Sequence, residues 1–342
     1  MDSLTQGLLG AAAAQAIMGR RVERAWLVGA VGGLLPDADI LIRSASDPLL
    51  AIEYHRQFTH ALVFIPVGGL IAALPWVVRT RHRRNWKEIL AAATVAYATH
   101  GLLDACTTYG TQLFWPFSSY RVAWNLISII DPIFTIALII GLAWSTRGDR
   151  RQPAAIAIAF CILYLLAGGI QRQRAVAARD RIAATRGHTP IRADAFPTIG
   201  NNLVWRSLYQ SGDSLYADRI RVPWMGSPEW TAGLSVAALS DPPPSATNNP
   251  RIRRDFRRFS WFSAGWLARD PTDSTVIGDA RYSMRTEAFE PIWGVRFHPN
   301  EPIPTEWVDR TRDRSISLAD LWAEITGTDP AYTAISPDGK KR

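Results

Sequence analysis

The sequence predicts an α-helical multi-pass membrane domain of about six helices, followed by a smaller β-rich extracytoplasmic domain. Three observations carry this. The composition changes near residue 171, from Ala-, Leu- and Ile-rich to polar, Arg-rich and Pro-rich. Six apolar stretches precede that point, and short basic loops alternate with near-neutral ones between them. A mean hydropathy near zero conceals this division by averaging over it. The 342 residues are enough for two domains.

A transmembrane helix needs about 20 mostly apolar residues. The stretches that approach this are about 4–19, 25–42, 59–78, 88–106, 126–144 and 153–170. The first is short and Ala-rich, so an interfacial amphipathic helix competes with a span there. It lacks the basic start of a signal peptide, since Arg20 and Arg21 follow its apolar run, and is expected to be retained. The basic loops hold Arg20, Arg21 and Arg24; then Arg79, Arg81, Arg83, Arg84 and Lys87; then Arg147, Arg150 and Arg151 against Asp149. Loops 43–58 and 107–125 are close to neutral. Positive loops stay in the cytoplasm, so the N-terminus and the C-terminal domain are expected outside it. The net charge of +8 therefore reads as membrane orientation, and no nucleic-acid partner is expected. Cys106 and Cys161 stand alone in apolar stretches and form neither a disulfide framework nor a Cys metal site.

After the membrane domain (1–170), residues 171–190 read as a linker helix and 191–335 as the β-rich domain, with 336–342 a disordered tail. The stretches 203–208, 214–220 and 283–289 suggest strands. Asp241-Pro242-Pro243-Pro244 marks a loop. The basic run Arg251–Arg258 reads as a solvated face, with lipid headgroups or an anionic substrate as other takers. His82, His188 and His298 have no assigned role.

Ionisable residues inside apolar spans are costly and mark function. Asp37 and Asp39 close the second stretch, His55 and His60 open the third, His100 and Asp104 end the fourth, and Asp131 precedes the fifth. A topology set by Arg and Lys alone brings all seven to one membrane face, where random placement would divide them. His100 and Asp104, at i and i+4, share one side of a helix. Imidazole nitrogen and carboxylate oxygen suit a divalent ion, zinc first. Pro36 can break its helix and free backbone groups beside Asp37 and Asp39. So many anionic ligands would suit more than one ion, and two-metal sites suit phosphoester hydrolysis by metal-activated water. Asp37, His55 and Arg56 are the catalytic candidates; Asp37, Asp39, His60, His100 and Asp104 are the metal candidates; Gln6, Arg121 and Asp131 are further candidates. Arg56 and Arg121 could hold an anionic group. Each also has a structural reading: Asp37, Asp39 and Asp131 as helix caps, His55 as a loop residue, His100 with Asp104 as a hydrogen-bonded pair.

Met1-Asp2-Ser3-Leu4-Thr5-Gln6, Leu35-Pro36-Asp37-Ala38-Asp39, His55-Arg56-Gln57-Phe58-Thr59-His60 and His100-Gly101-Leu102-Leu103-Asp104 resemble the YdjM/YbcI-type inner-membrane metal-dependent hydrolases. Thr107–Gln112 and Phe114-Trp115-Pro116-Phe117 fit one branch of that family. The resemblance covers about residues 1–170. It implies a bacterial inner-membrane, metal-dependent hydrolase. Through a distant likeness to the helical zinc-dependent phospholipase C and P1-type nuclease group, it also implies a phosphoester or lipid-like substrate. The family pattern places His where this chain has Gln6, a poor zinc ligand, and Gly where it has Gln57. Two other readings of the same cluster are a transporter or ion pathway and a non-catalytic scaffold with a structural metal. Membrane lipids are the one partner class expected.

Overall fold

The structure, a computed structural model, describes residues 1–79, 85–148, 150–243, 248–313, 317–329 and 333–334. The tail 336–342, Pro244, loop residues Arg81, His82, Arg83 and Arg84, and Asp149 lie outside the described residues. The chain forms two compact units. Unit 1 comprises Met1–Ile42, Tyr54–Gly169 and Ile199–Asn201; unit 2 comprises Arg43–Glu53, Ile170–Thr198 and Asn202–Arg342.

Unit 1 is helical. Helix α1 (Ser3–Met18) starts at Asp2, whose carboxylate accepts the Thr5 amide and so satisfies one of the free N–H groups of the first turn. Helix α2 (Ala25–Leu34) tightens into a 3-10 turn at Leu35–Leu41, where Pro36 removes a donor. The short α3 (Leu50–Tyr54) leads to two 3-10 turns, Phe58–His60 and Leu62–Phe64. Then come α4 (Ile65–Val77), α5 (Trp86–Ala105) and α6 (Pro132–Arg147). Helix α7 (Gln152–Thr185) is continuous and passes from unit 1 into unit 2 at Ile170.

Small residues set the helix spacing in unit 1. A Cβ on Gly10 would stand 2.5 Å from the Gly29 carbonyl oxygen, and one on Gly29 would stand 2.3 Å from that of Gly10. The α1 and α2 backbones therefore touch. Ala14, Ala25, Ala72, Ala73, Ala92 and Ala93 fill the adjoining core with Val22, Val28 and Ile89. Close backbone approach maximises dispersion contacts per residue where side chains are short.

The expectation of about six spans is overturned. Among the described residues, α7 is the one helix long and apolar enough to cross a membrane; a bent pair, Leu50–His60 with Leu62–Val77, makes two if counted as a single broken span. The physical reason is length and dilution. Helices α1 and α6 have 16 residues each, about 24 Å at 1.5 Å per residue, against a hydrocarbon core of about 30 Å. Helix α2 stops after 10 residues. Helix α5 has 20, but Lys87, Glu88, Thr94, Thr99, His100 and Asp104 interrupt its apolar run. The alternation of loop charge presumed six crossings and loses its footing with them. Exposed apolar side chains are nonetheless abundant on α6 (Ile133, Ile136, Ile140) and on α7 (Ile156, Leu163, Leu166).

Unit 2 is β-rich. One antiparallel sheet has the order β1 (Arg192–Pro197), β2 (Val204–Ser211), β3 (Ser214–Arg221), β4 (Glu229–Thr231), β10 (Thr333–Ala334), with β5 (Ser235–Ala237) also pairing with β3. A second contains β6 (Leu267–Arg269), β7 (Val276–Asp279), β8 (Trp293–Phe297) and β9 (Thr305–Asp309). Trp205, Ile220, Val222 and Trp230 pack on Ala175, Ala178 and Ile182 of α7. Helix α7 runs unbroken through the segment read from sequence as a separate linker. Residues 283–289 are not a strand: Ser283 makes an isolated bridge to Pro291, and the strand begins only at Trp293. Two helices were not foreseen, α8 (Pro250–Phe262) and α9 (Leu318–Thr326). Helix α8 arises because Ile252, Phe256 and Phe259 recur at helical spacing within the basic run.

Arg258 on α8 ties together Asp47, Glu53 and the buried Asp255, with Nη1–Oδ1 distances of 2.8 Å to Asp47 and 3.2 Å to Asp255. Burial pushes the Asp47 carboxyl up, but its bond to Arg258 outweighs this and leaves it below its ordinary value. Asp47 therefore contributes stability that is present above the unfolded carboxylate pKa of about 3.9 and is lost as pH falls below it. Arg258→Ala should destabilise the protein by about 1–3 kcal/mol, because Asp255 stays buried with a partner removed. Thermal melts at pH 7 and pH 3 should show a smaller mutant deficit at the lower pH; an equal deficit at both would remove Asp47 from the account.

Candidate metal centre

Four chain segments of unit 1 meet around Asp104. The 3-10 turn after α2 brings Asp37 and Asp39. The residues after α3 bring His55, Arg56 and His60, and α5 brings His100 and Asp104 one helical turn apart. Helix α1 brings Gln6. His60 sits beside His100, their rings 4.7 Å apart and nearly perpendicular, because residue 101 is glycine. A Cβ there would lie 2.5 Å from the His60 carbonyl oxygen.

Hydrogen bonds at the far side of each ring fix what the near side offers. His100 Nδ1 faces the Gly33 carbonyl, which can only accept, so Nδ1 carries the proton. His60 Nδ1 lies 2.9 Å from Thr59 Oγ1, which itself donates to Asp39 Oδ2 at 2.8 Å, so this Nδ1 donates too. With each ring neutral, both histidines turn an Nε2 lone pair inward, where they meet two carboxylates. His60 Nε2 is 3.6 Å from Asp37 Oδ1 and 3.3 Å from Asp104 Oδ2. His100 Nε2 is 3.3 Å from Asp37 Oδ1 and 3.5 Å from Asp104 Oδ2. His60 Nε2, His100 Nε2 and Asp104 Oδ2 are buried without a hydrogen-bond partner.

Four lone-pair atoms converging in this way repel one another unless a cation lies between them. The separations suit a metal: bonds of about 2.0–2.2 Å in a tetrahedron give ligand–ligand edges of about 3.3–3.6 Å. Asp37, His60, His100 and Asp104 are therefore able to hold a divalent ion. A second group, Asp37, Asp39 and His55, also has its donor atoms within 4.8 Å of one another. Its carboxylate is more heavily committed. Asp39 Oδ1 lies 2.8 Å from His55 Nδ1, and Oδ2 accepts from the Arg56 amide at 2.9 Å as well as from Thr59. Burial raises the Asp37 and Asp39 carboxyls, but the adjoining imidazoles, His100 and His60 beside Asp37 and His55 and His60 beside Asp39, outweigh it. Both groups stay well below the usual carboxylate range and hence anionic.

Asp104 is the most heavily supported residue. Its Oδ1 receives the Met1 amine and, at 2.8 Å, the Gln6 amide nitrogen. Arg56 Nε lies 3.0 Å from Oδ2, close enough to pair in charge but not aligned as a hydrogen bond. Gln6 thus contacts the ligand Asp104 through a donor, so its nitrogen cannot itself bind an ion. Arg56 is buried, donates to Thr107 Oγ1 at 3.0 Å, and lies over the Tyr109 ring at 4.6 Å. Its φ of 64° is left-handed, costly for a non-glycine residue and retained because its amide and carbonyl are both engaged, by Asp39 and by the Gln112 amide. Arg121 also stacks on Tyr109, at 5.1 Å, and donates to the Gly110 carbonyl.

Asp131 stands apart from this cluster. It caps α6 through the Phe134 amide and accepts the Tyr164 hydroxyl at 2.8 Å. The sequence reading assigned no role to Thr59, Thr107, Tyr109 or the Gly33 carbonyl. Thr59 and Tyr109 stand inside motifs already quoted, but nothing in a motif tells which neighbour will orient a ligand.

The profile of the YdjM inner membrane protein family matches residues 1–175, and the chain belongs to that family. It is 32% identical to the inner membrane protein YbcI of Escherichia coli (strain K12) over 110 residues, 31% of this chain and 62% of YbcI. It is 26% identical to the uncharacterized protein YfhP of Bacillus subtilis (strain 168) over 140 residues, 40% of each chain. The chain spans less than two thirds of either relative. No solved structure matches it.

Gly101→Ala should raise intrinsic helix propensity yet push the His60 carbonyl away from α5. Metal affinity, followed by competition with a chromogenic chelator, should fall about 10–100-fold, as for loss of an orienting contact. Unchanged affinity would show that His60 is not held to the ion by this approach.

Proposed function

We propose that unit 1 is a membrane-bound, metal-dependent hydrolase acting on a phosphoester or lipid-like substrate. Asp37, His60, His100 and Asp104 hold a divalent ion, zinc first. The observation that carries the metal is the set of four inward donor atoms whose His–carboxylate separations are 3.3–3.6 Å, three of them buried without a hydrogen-bond partner. An ion bound there would lower the pKa of water toward 7 and polarise a phosphoryl oxygen.

The remaining roles follow from position. Asp37 is the one ligand with an accessible side chain, 19% exposed against 0–1% for the others, so substrate reaches the site on its side. His55, 22% exposed, carries a protonated Nδ1 toward Asp39, leaving Nε2 as a base that accepts a proton at the mouth of the site. Asp39 orients His55 and His60 together. Arg56 balances the charge of Asp104 from within. Arg121 stacks on the same Tyr109 ring and supplies a cation for an anionic substrate group.

A second reading has its own support. Four protein ligands can fill a four-coordinate shell, which is the pattern of closed structural sites; catalytic sites keep a position open. In that reading the ion only fastens α5 to the turns carrying Asp37 and His60. Hydrolysis requires the ion to expand its shell or Asp37 to yield its place.

Purified protein should contain a divalent metal, and His100→Ala and Asp104→Asn should each lower its content; unchanged content in both would end the ligand assignment. Hydrolysis of a chromogenic phosphodiester should cease with chelator and return with metal. His55→Ala should slow it by about 10²–10⁴-fold at unchanged metal content. A chelator that lowers the melting temperature of a protein inactive on every phosphoester would favour the structural ion.

We also place the C-terminal unit outside the cytoplasm. The support for this is the short basic stretch Arg147, Arg150 and Arg151 directly before the α7 span. A reporter fused after Arg342 should be active only as an extracytoplasmic enzyme; cytoplasmic activity reverses this placement.

A further inference from the structure

The apolar part of α7 ends at Ile170, and the polar turn that follows does unusual work. Gln171, fully buried, donates to the Val222 carbonyl at 2.6 Å. Arg174, one turn on, donates to Gln171 Oε1 at 2.8 Å and to the Gly226 carbonyl at 3.2 Å. These bonds grip both ends of the loop Pro223–Gly226, whose tip is Trp224-Met225. Trp224 is 51% exposed and Met225 is 90% exposed. Gly226 permits the turn with a φ of +98°. Among the described residues, the tip thus presents two large apolar side chains that are mostly exposed.

The position of the tip supplies a partner for them. Residues 153–170 of α7 extend about 27 Å, close to the thickness of a hydrocarbon core. With that stretch across a bilayer, Gln171 and Arg174 lie within about one helical turn of its edge, at headgroup depth. The tip bonded to them is held at the same depth. Tryptophan favours that zone because its ring is apolar and its N–H is polar, and a methionine beside it reaches the acyl boundary.

We propose that Trp224-Met225 is a second membrane contact, a loop that dips into the lipid interface beside the exit of α7 and fixes unit 2 against the membrane surface. Its ligand is the lipid interface itself, and the contact is independent of the metal centre. A two-point attachment, span and loop, would stop unit 2 from swinging about α7.

The test places an environment-sensitive fluorophore at single added cysteines in full-length protein in phosphatidylethanolamine/phosphatidylglycerol liposomes. Cys106 and Cys161 are buried, and unlabelled wild type gives the background. Met225→Cys is compared with Asp213→Cys, in the hairpin at the opposite end of β3, and with Leu163→Cys within the apolar part of α7. Doxyl-labelled lipid should quench the probes at 163 and 225 but not at 213. Iodide should quench position 225 about threefold less than 213, as expected for a side chain sunk in the interface. Equal iodide access at 225 and 213, with 163 still quenched from lipid, would overturn the loop contact. Lipid quenching absent at 163 would overturn the α7 span on which it rests.

Discussion

Asp104 is the charge around which unit 1 is organised. A carboxylate excluded from water costs several kcal/mol unless cations and donors replace its hydration. Here the replacement comes from two sides: the Met1 amine and Gln6 from the N-terminal segment and α1, and Arg56 from the loop after α3. These groups come from two stretches of sequence far from Asp104. Satisfying one carboxylate therefore fixes the mutual placement of α1, α5 and the loop after α3. The inward pair of imidazoles with Asp37 is a consequence of that placement.

The arrangement requires helices that stop early. Were α2 to continue past Leu34, Asp37 would be carried away along the helix axis. Pro36 and the 3-10 turn bend it back toward α5. The left-handed backbone at Arg56 does the same for His55 and His60, spending local conformational energy to aim a guanidinium inward and an imidazole outward. Gly32 lets α2 lie close to α5, a Cβ there standing 2.8 Å from the Ala93 carbonyl oxygen, which brings the Gly33 carbonyl within reach of His100 and so sets its tautomer. The broken, closely packed helices that make a poor series of membrane spans are the same features that build the site.

Unit 2 uses charge differently. Its arginines are tied off one by one: Arg186 to Asp218, Arg219 to Glu324 and Asp329, Arg258 to Asp47 and Glu53, Arg281 to Asp279. Much of the basic composition that reads in sequence as a charged surface is thus internal cross-linking between strands, helices and the 43–53 segment. The planar guanidinium is suited to this, since it can serve two carboxylates from one partly buried stem.

The sequence by itself determined the change of character near residue 171, the long apolar run 153–170, the strands read at 203–208 and 214–220, and the pairing of His100 with Asp104. Each of these is written in local composition or in a fixed spacing along one helix. It also brought Asp37, Asp39, His55 and His60 to the same place, although by way of six crossings that the structure does not contain; apolar windows measure composition, and only the folded chain shows where a helix breaks. The separation of roles was decided by tertiary structure alone. Asp39 faces Thr59 and the Arg56 amide while Asp37 faces the histidines, and Asp131, equally acidic and equally close to an apolar stretch, caps α6 instead. Residue type states what a carboxylate can bind; its partners, contributed by distant segments, decide what it does bind.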